Sequence, residues 1–177
     1  FNVLPTIEET ILWDEKGVKI TATGLTYTAY DAVLSLLIEN NNDKEVSVIA
    51  GSAGYCCNAI NGYMVADGYM NEDVSAGKKA KDEISFSLDE LAIYGITEIA
   101  EIQVGFDIDI GEEEEIYTGP RTVKTSIAEN YDLARNTYRE SIGNGKLERV
   151  YECTIEAFGE KEEMIMDGLK ILSYTIV

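Results

Sequence analysis

Apolar side chains recur at every second position through the first two thirds of the chain, and that period commits most of it to strands with one buried face. Val18, Ile20 and Ala22 alternate with Lys19, Thr21 and Thr23. Ala32 to Glu39 is a nearly continuous apolar run ending in Asn40, Asn41, Asn42 and Asp43, after which Glu45 to Ile49 alternates again. Asn and Asp tolerate left-handed backbone angles and satisfy turn amides with their own side chains, so this stretch reads as strand, turn, strand. Gly62 to Ala66 is expected to be a strand closed by the turn Asp67-Gly68. A loop at Ala76-Gly77-Lys78 then leads into the strand Glu83 to Ser87. Ser87 and Glu90 stand at capping-box spacing, which predicts a helical turn from Leu88 to Tyr94, with Gly95 as its left-handed cap. Ile102, Val104, Phe106, Ile108 and Ile110 mark the clearest long strand, Glu98 to Ile110. Glu112 to Glu115 form an acidic turn, and Ile116 to Lys124 return as the last strand.

About seven short strands with one helical turn fit an antiparallel β-sandwich, each sheet burying one face against the other. A parallel α/β fold would need long amphipathic crossovers, and none is present before residue 126. The pattern changes after Ser126. Ser126 and Glu129 repeat the capping spacing, and Leu133, Tyr138 and Ile142 recur at helical intervals, predicting a helix over Ile127 to Ile142. Leu147 to Glu156 and Leu169 to Val177 read as two further strands. The expected division is therefore a sandwich over 1–127 and a helix plus strands over 128–177. Gly168-Leu169-Lys170-Ile171 echoes Gly17-Val18-Lys19-Ile20, which reads either as generic strand composition or as the start of a second repeat. In the second case a severed strand at Leu169 to Val177 would offer unpaired amides to a second copy, a route to self-association.

Composition removes several classes of function. The 177 residues include no histidine, which excludes Ser-His-Asp and Cys-His catalysis and every His-ligated metal centre. A net charge of −19 repels phosphate backbones and anionic lipid, so nucleic acid is not expected as a partner. No apolar run reaches the roughly 18 residues of a membrane span. No nucleophile elbow, phosphate-binding loop or dinucleotide fingerprint occurs, and no cofactor is expected. Phe1 is expected to follow a processed targeting segment.

Trp13-Asp14-Glu15-Lys16-Gly17-Val18-Lys19-Ile20, the expected first hairpin from Leu37 to Val46, Asn61-Gly62-Tyr63-Met64-Val65, and Val74 to Ala80 together carry a resemblance. Over Leu12 to Lys124 the chain resembles the extracellular immunoglobulin-like domains of Gram-positive bacterial lipoproteins and surface proteins of unknown function, akin to the immunoprotective extracellular antigen superfamily. The resemblance implies an immunoglobulin-like sandwich, export to the cell surface, and membrane contact only through a lipid anchor outside the given sequence. It implies no catalytic residues.

Three groups of residues remain as candidates. Asp107 and Asp109 project from one strand face beside the run Glu112 to Glu115, and hard cations take such oxygen ligands; a solvated hairpin end is the alternative. Tyr55, Tyr63 and Tyr69 lie in a turn-rich segment and offer rigid contact area with a polar tip, against the alternative that they cover the sandwich. Cys56, Cys57 and Cys153 read either as small buried apolar side chains or as a disulfide between Cys153 and one of the pair. Trp13 is expected to anchor the first strand. The functional expectation is a non-enzymatic, exported surface module acting as a spacer or binding protein or carbohydrate. The alternatives are a carboxylate-dependent enzyme acting on glycans, since 33 acids make some close pair almost inevitable, and a self-assembling domain.

Overall fold

The computed structural model describes residues 4–51, 58–111, 114–135 and 137, and the backbone of 151–154, 163–166, 169–171 and 173–176. Alternation becomes two antiparallel layers. The first sheet has the order β1 (Thr10–Glu15), β2 (Val18–Tyr27), β3 (Asp31–Asn40), β8 (Lys79–Ser87). The second runs β11 (Glu114–Tyr117), β10 (Phe106–Ile110), β4 (Val46–Ala50), β7 (Met70–Val74). Alongside it lies the order β12 (Arg121–Lys124), β9 (Glu101–Val104), β5 (Ala59–Ile60), β6 (Tyr63–Met64). This is the expected antiparallel β-sandwich.

β3 shows how an unbroken apolar run still has two faces. Leu34, Leu36 and Ile38 are fully buried, whereas the intervening Ser35 and Leu37 are only partly covered. Facing them across the interior are Val48, Ile102, Val104, Phe106 and Ile108, with Phe86 and Ile84 from β8 completing one continuous core. In β2 the register shifts between Ala22 and Gly24, so the inward face passes from Val18, Ile20 and Ala22 to Leu25. The anchor role of Trp13 holds: it is buried, and the Arg121 guanidinium of β12 lies 5.1 Å from its ring centroid. That contact joins the two layers at one edge.

Four sequence expectations are refined by the structure. First, the Asn-rich turn after β3 is no hairpin, because β3 and β4 lie in different sheets. Buried Asn40 holds this crossover: its Nδ2 donates to the carbonyls of Lys44 and Val74 at 2.8 Å each, and its Oδ1 accepts the Asn42 amide. The first hairpin is instead β1 to β2, turning on Lys16 and Gly17, both at positive φ. Second, the strand expected over Gly62 to Ala66 is the short arm of a hairpin from β5 to β6, and its turn is Asn61-Gly62, with φ of 49° and 83°. That pair of left-handed angles is what a two-residue hairpin turn needs.

Third, the long strand Glu98 to Ile110 is interrupted at Gly105, so β9 and β10 pair with different strand segments. Thr118 covers the break. Its amide donates to the Phe106 carbonyl, and its Oγ1 accepts the Phe106 amide at 2.9 Å. Fourth, the stretch expected to form a helix from Ile127 opens as a 3-10 turn, Ala128–Asn130, and Tyr131 is already extended. The Ser126 hydroxyl is not a helix cap; it accepts the Thr6 amide. Residues 138–150 lie outside the described residues.

The helical turn α1 (Leu88–Ile93) matches its expectation, with Ser87 Oγ accepting the Glu90 amide and Gly95 at φ 72°. Beyond the sandwich, β13 (Tyr151–Thr154) pairs with β16 (Ser173–Ile176), and β14 (Glu163–Met166) pairs with β15 (Leu169–Ile171). The stretch expected as one strand at Leu169 to Val177 is two, β15 and β16, each paired with one strand inside the chain. Among the described residues no helix is long and apolar enough to cross a membrane.

Candidate functional site

The acidic pair read from the sequence stands on the outer face of the second sheet. Phe106, Ile108 and Ile110 point into the core, so the residues between them, Asp107 and Asp109, face away from it. Gly111, at φ 62°, follows the end of β10, and β11 pairs with β10 in a fixed register. That register sets Asp109 opposite Glu115 and Asp107 opposite Tyr117. On the other flank β4 places Ser47 opposite Asp109, and β7 places Asp73 opposite Ser47.

Carboxylate oxygens of Asp107, Asp109 and Glu115 all lie within 4.8 Å of one another. The spacing of Asp107 and Asp109 was legible in the sequence, but the choice of Glu115 within the Glu112–Glu115 run depends on the hairpin register. The Tyr117 hydroxyl donates to Glu115 Oε1 and fixes the orientation of that carboxylate. Asp107 is only 5% exposed, and its Oδ1 is buried with no hydrogen-bond partner among the described residues. Burial, then the negative charges of Asp109 and Glu115, raise the Asp107 carboxyl above the ordinary aspartate range. Two like charges directly opposite each other on a sheet destabilise it, and a buried carboxylate adds desolvation to that cost.

A second carboxyl pair ties α1 to the loop after β6. Glu90 accepts the Ala66 amide at 3.0 Å, and Asp67 accepts the Ser87 amide at 2.8 Å. The reciprocal half of the capping box is thus supplied by Asp67, leaving Glu90 to hold the loop. Burial raises the Glu90 carboxyl, the Ala66 amide opposes this, and the hydrogen bond and charge of Asp67 add to the rise. Buried Asn58 and Asn61 shape the same region. Asn58 donates to the carbonyls of Asp67 and Gly68; Asn61 accepts the amides of Ala100 and Glu101 and donates to Glu98.

The tyrosines proposed as a contact surface stand in different settings. Tyr55 lies outside the described residues. Tyr63 is half-buried, its ring 5.5 Å from that of Tyr94 and tilted by 32°. Tyr69 remains exposed at 65%. A tyrosine grouping that sequence reasoning missed surrounds Tyr63 instead: Tyr131 interacts with Tyr63 and Asn61, and burial raises its hydroxyl above the ordinary tyrosine range. Cys56 and Cys57 lie outside the described residues, and of Cys153 only the backbone is described, opposite Tyr174 in β13. An open groove of about 560 Å³ runs beside the β2 bulge, lined by Thr23, Gly24, Ser35, Leu36, Lys81, Asp82 and Glu83.

No protein-family model matches the chain, and no curated protein matches it in sequence. Two solved structures show a distant likeness. Chicken MD-1 complexed with lipid IVa is 13% identical with a TM-score of 0.28, covering 68% of this chain and 99% of MD-1. A β-glucosidase from Kluyveromyces marxianus is 10% identical with a TM-score of 0.27, covering 61% of this chain. The chain spans only 15% of that glucosidase. Likenesses this distant say nothing of ligand or activity.

Proposed function

We propose that the chain is a non-enzymatic, exported immunoglobulin-like module of a bacterial cell-surface lipoprotein, binding protein or carbohydrate through its outer faces or spacing other parts of that protein. The observation that carries this reading is the filled interior. Phe86, Phe106, Ile20, Leu34, Leu36, Ile38, Ile84 and Ile102 from the two layers are all fully buried between them, so the chemistry on offer lies on the outer faces.

Acid geometry supports the non-enzymatic half. Glycosidases hold two carboxyls about 5 to 10 Å apart across a sugar-sized cleft. Here Asp107, Asp109 and Glu115 crowd within 4.8 Å of one another on a sheet face rather than facing each other across a cleft. The strong acid excess also keeps such a face well hydrated, suiting a protein displayed in solvent.

The test has two arms. Purified chain is screened on a glycan array and incubated with polysaccharide substrates, and binding without release of reducing ends is expected. Release of reducing ends that disappears in Asp109→Asn or Glu90→Gln would overturn the non-enzymatic reading. The full-length gene is expressed in a Gram-positive host, and surface protease treatment of whole cells is expected to remove the domain; complete protection inside intact cells would overturn export.

A further inference from the structure

We propose that Asp107, Asp109 and Glu115 bind a hard divalent cation of calcium's size on the outer face of the second sheet. The inference concerns ligand chemistry alone and stands whether or not the module is exported.

An acidic cluster on a protein this acidic would by itself mean little. The buried oxygen sets this one apart. Asp107 is nine-tenths hidden, its Oδ1 has no donor among the described residues, and its carboxylate belongs to the same close group as those of Asp109 and Glu115. Buried polar atoms are nearly always satisfied, so an orphaned oxygen on a carboxyl grouped with two others calls for a positive partner. A solvated hairpin end would leave all three acids in water, and Asp107 is not in water.

Hardness and flexible coordination select the ion. The donors are all carboxylate oxygens, which suit hard cations, and the chain has no histidine to draw a transition metal. Calcium accepts irregular sets of carboxylates, whereas magnesium demands near-ideal octahedral geometry and gives up its water reluctantly. Pre-orientation comes from Tyr117, whose hydroxyl donates to Glu115 Oε1. Three protein carboxylates with water completing the shell correspond to an affinity in the range of extracellular calcium modules, a Kd of roughly 0.1 to 1 mM.

Thermal melting and terbium luminescence test the site together. Calcium chloride is expected to raise the melting temperature above that in magnesium chloride or sodium chloride of equal ionic strength. Terbium is expected to glow by energy transfer from Tyr117, with calcium competing it off at lower concentration than magnesium. Asp109→Asn and Glu115→Gln should each weaken the calcium response at least tenfold. Asp107→Asn should raise the melting temperature without calcium, because it removes a buried charge, and abolish the calcium-dependent increment. Tyr117→Phe should dim the terbium signal and leave a calcium-dependent melting shift. Equal responses to calcium and magnesium, or a calcium response that survives Asp109→Asn and Glu115→Gln, would mean diffuse screening of the net charge and would overturn the site.

Discussion

The first sheet and the second sheet solve the same packing problem with different regularity. β2 and β3 of the first sheet each run for ten residues and are paired along nearly their whole length, with one register shift in β2. The second layer is cut at Gly105 into two sheets and patched by Thr118, and its loops are held by buried Asn58 and Asn61. It also carries the buried Asp107. Regular pairing leaves few polar groups to satisfy inside; an interrupted sheet must recruit side chains to do it. Chemistry accordingly gathers in the second sheet, while the first acts mainly as the wall it packs against.

The sharpest way to break this contrast is in the shared core. Leu34→Ala in the first sheet and Phe106→Ala beside the Gly105 break should both destabilise the domain by about 3 to 5 kcal/mol in denaturant titration. If the interrupted sheet were loosely packed, the Phe106 variant would fall clearly below that range. Next in size are the side chains that repair the second sheet. Asn61→Ala strands the amides of Ala100 and Glu101, and Thr118→Val strands that of Phe106; each should cost about 1 to 3 kcal/mol in the same assay. Thr23→Ala, an exposed change in the first sheet, should stay within about 0.5 kcal/mol and serves as the comparison.

Smaller effects appear as pH dependence. The folded-state pKa of Glu90 is raised, so this residue favours the folded state at acid pH and disfavours it as pH climbs through the raised value. Glu90→Gln, whose amide oxygen can still accept from Ala66, should therefore gain stability relative to the parent at neutral pH. Below the ordinary glutamate value of 4.5 that gain should vanish. Glu39 on the first sheet has the opposite sign, its carboxyl lowered chiefly by the hydrogen bond from Lys79. Its contribution is present at neutral pH and is lost as pH falls through the lowered value. Because the Lys79 ammonium is exposed to solvent, Glu39→Gln should produce the smallest change of the set, read as a slight flattening of the acid limb of a melting-temperature profile.

Sequence pattern exposed the faces more readily than the connections. The inward residues Val18, Ile20 and Ala22, and Phe106, Ile108 and Ile110, follow from period two, and Ser87 with Gly95 announced α1. The Asn61-Gly62 turn was equally readable from its dipeptide, yet Asp67-Gly68 competed for the same strand. Asp67 instead turns its side chain to the Ser87 amide, a contact twenty residues away. Whether Asn40 to Asp43 closes a hairpin or changes layers is invisible locally, because both use the same turn residues; the deciding bond runs from Asn40 to Val74. Glu115 was likewise hidden among four glutamates until the register of β10 and β11 chose it. The burial of Asp107 has no local signature, since it depends on what the neighbouring strands place around it.

The short bridge between Ile7 and Thr125, reinforced by the Thr6 and Ser126 hydrogen bonds, brings the two gateways of the sandwich to one spot. Chain entering at Thr6 leaves from almost the same place at Ser126, so the body between them adds little reach along a line of pull. Tension applied across that junction would open it as a zipper opens, one rung at a time, before any load reached the interior.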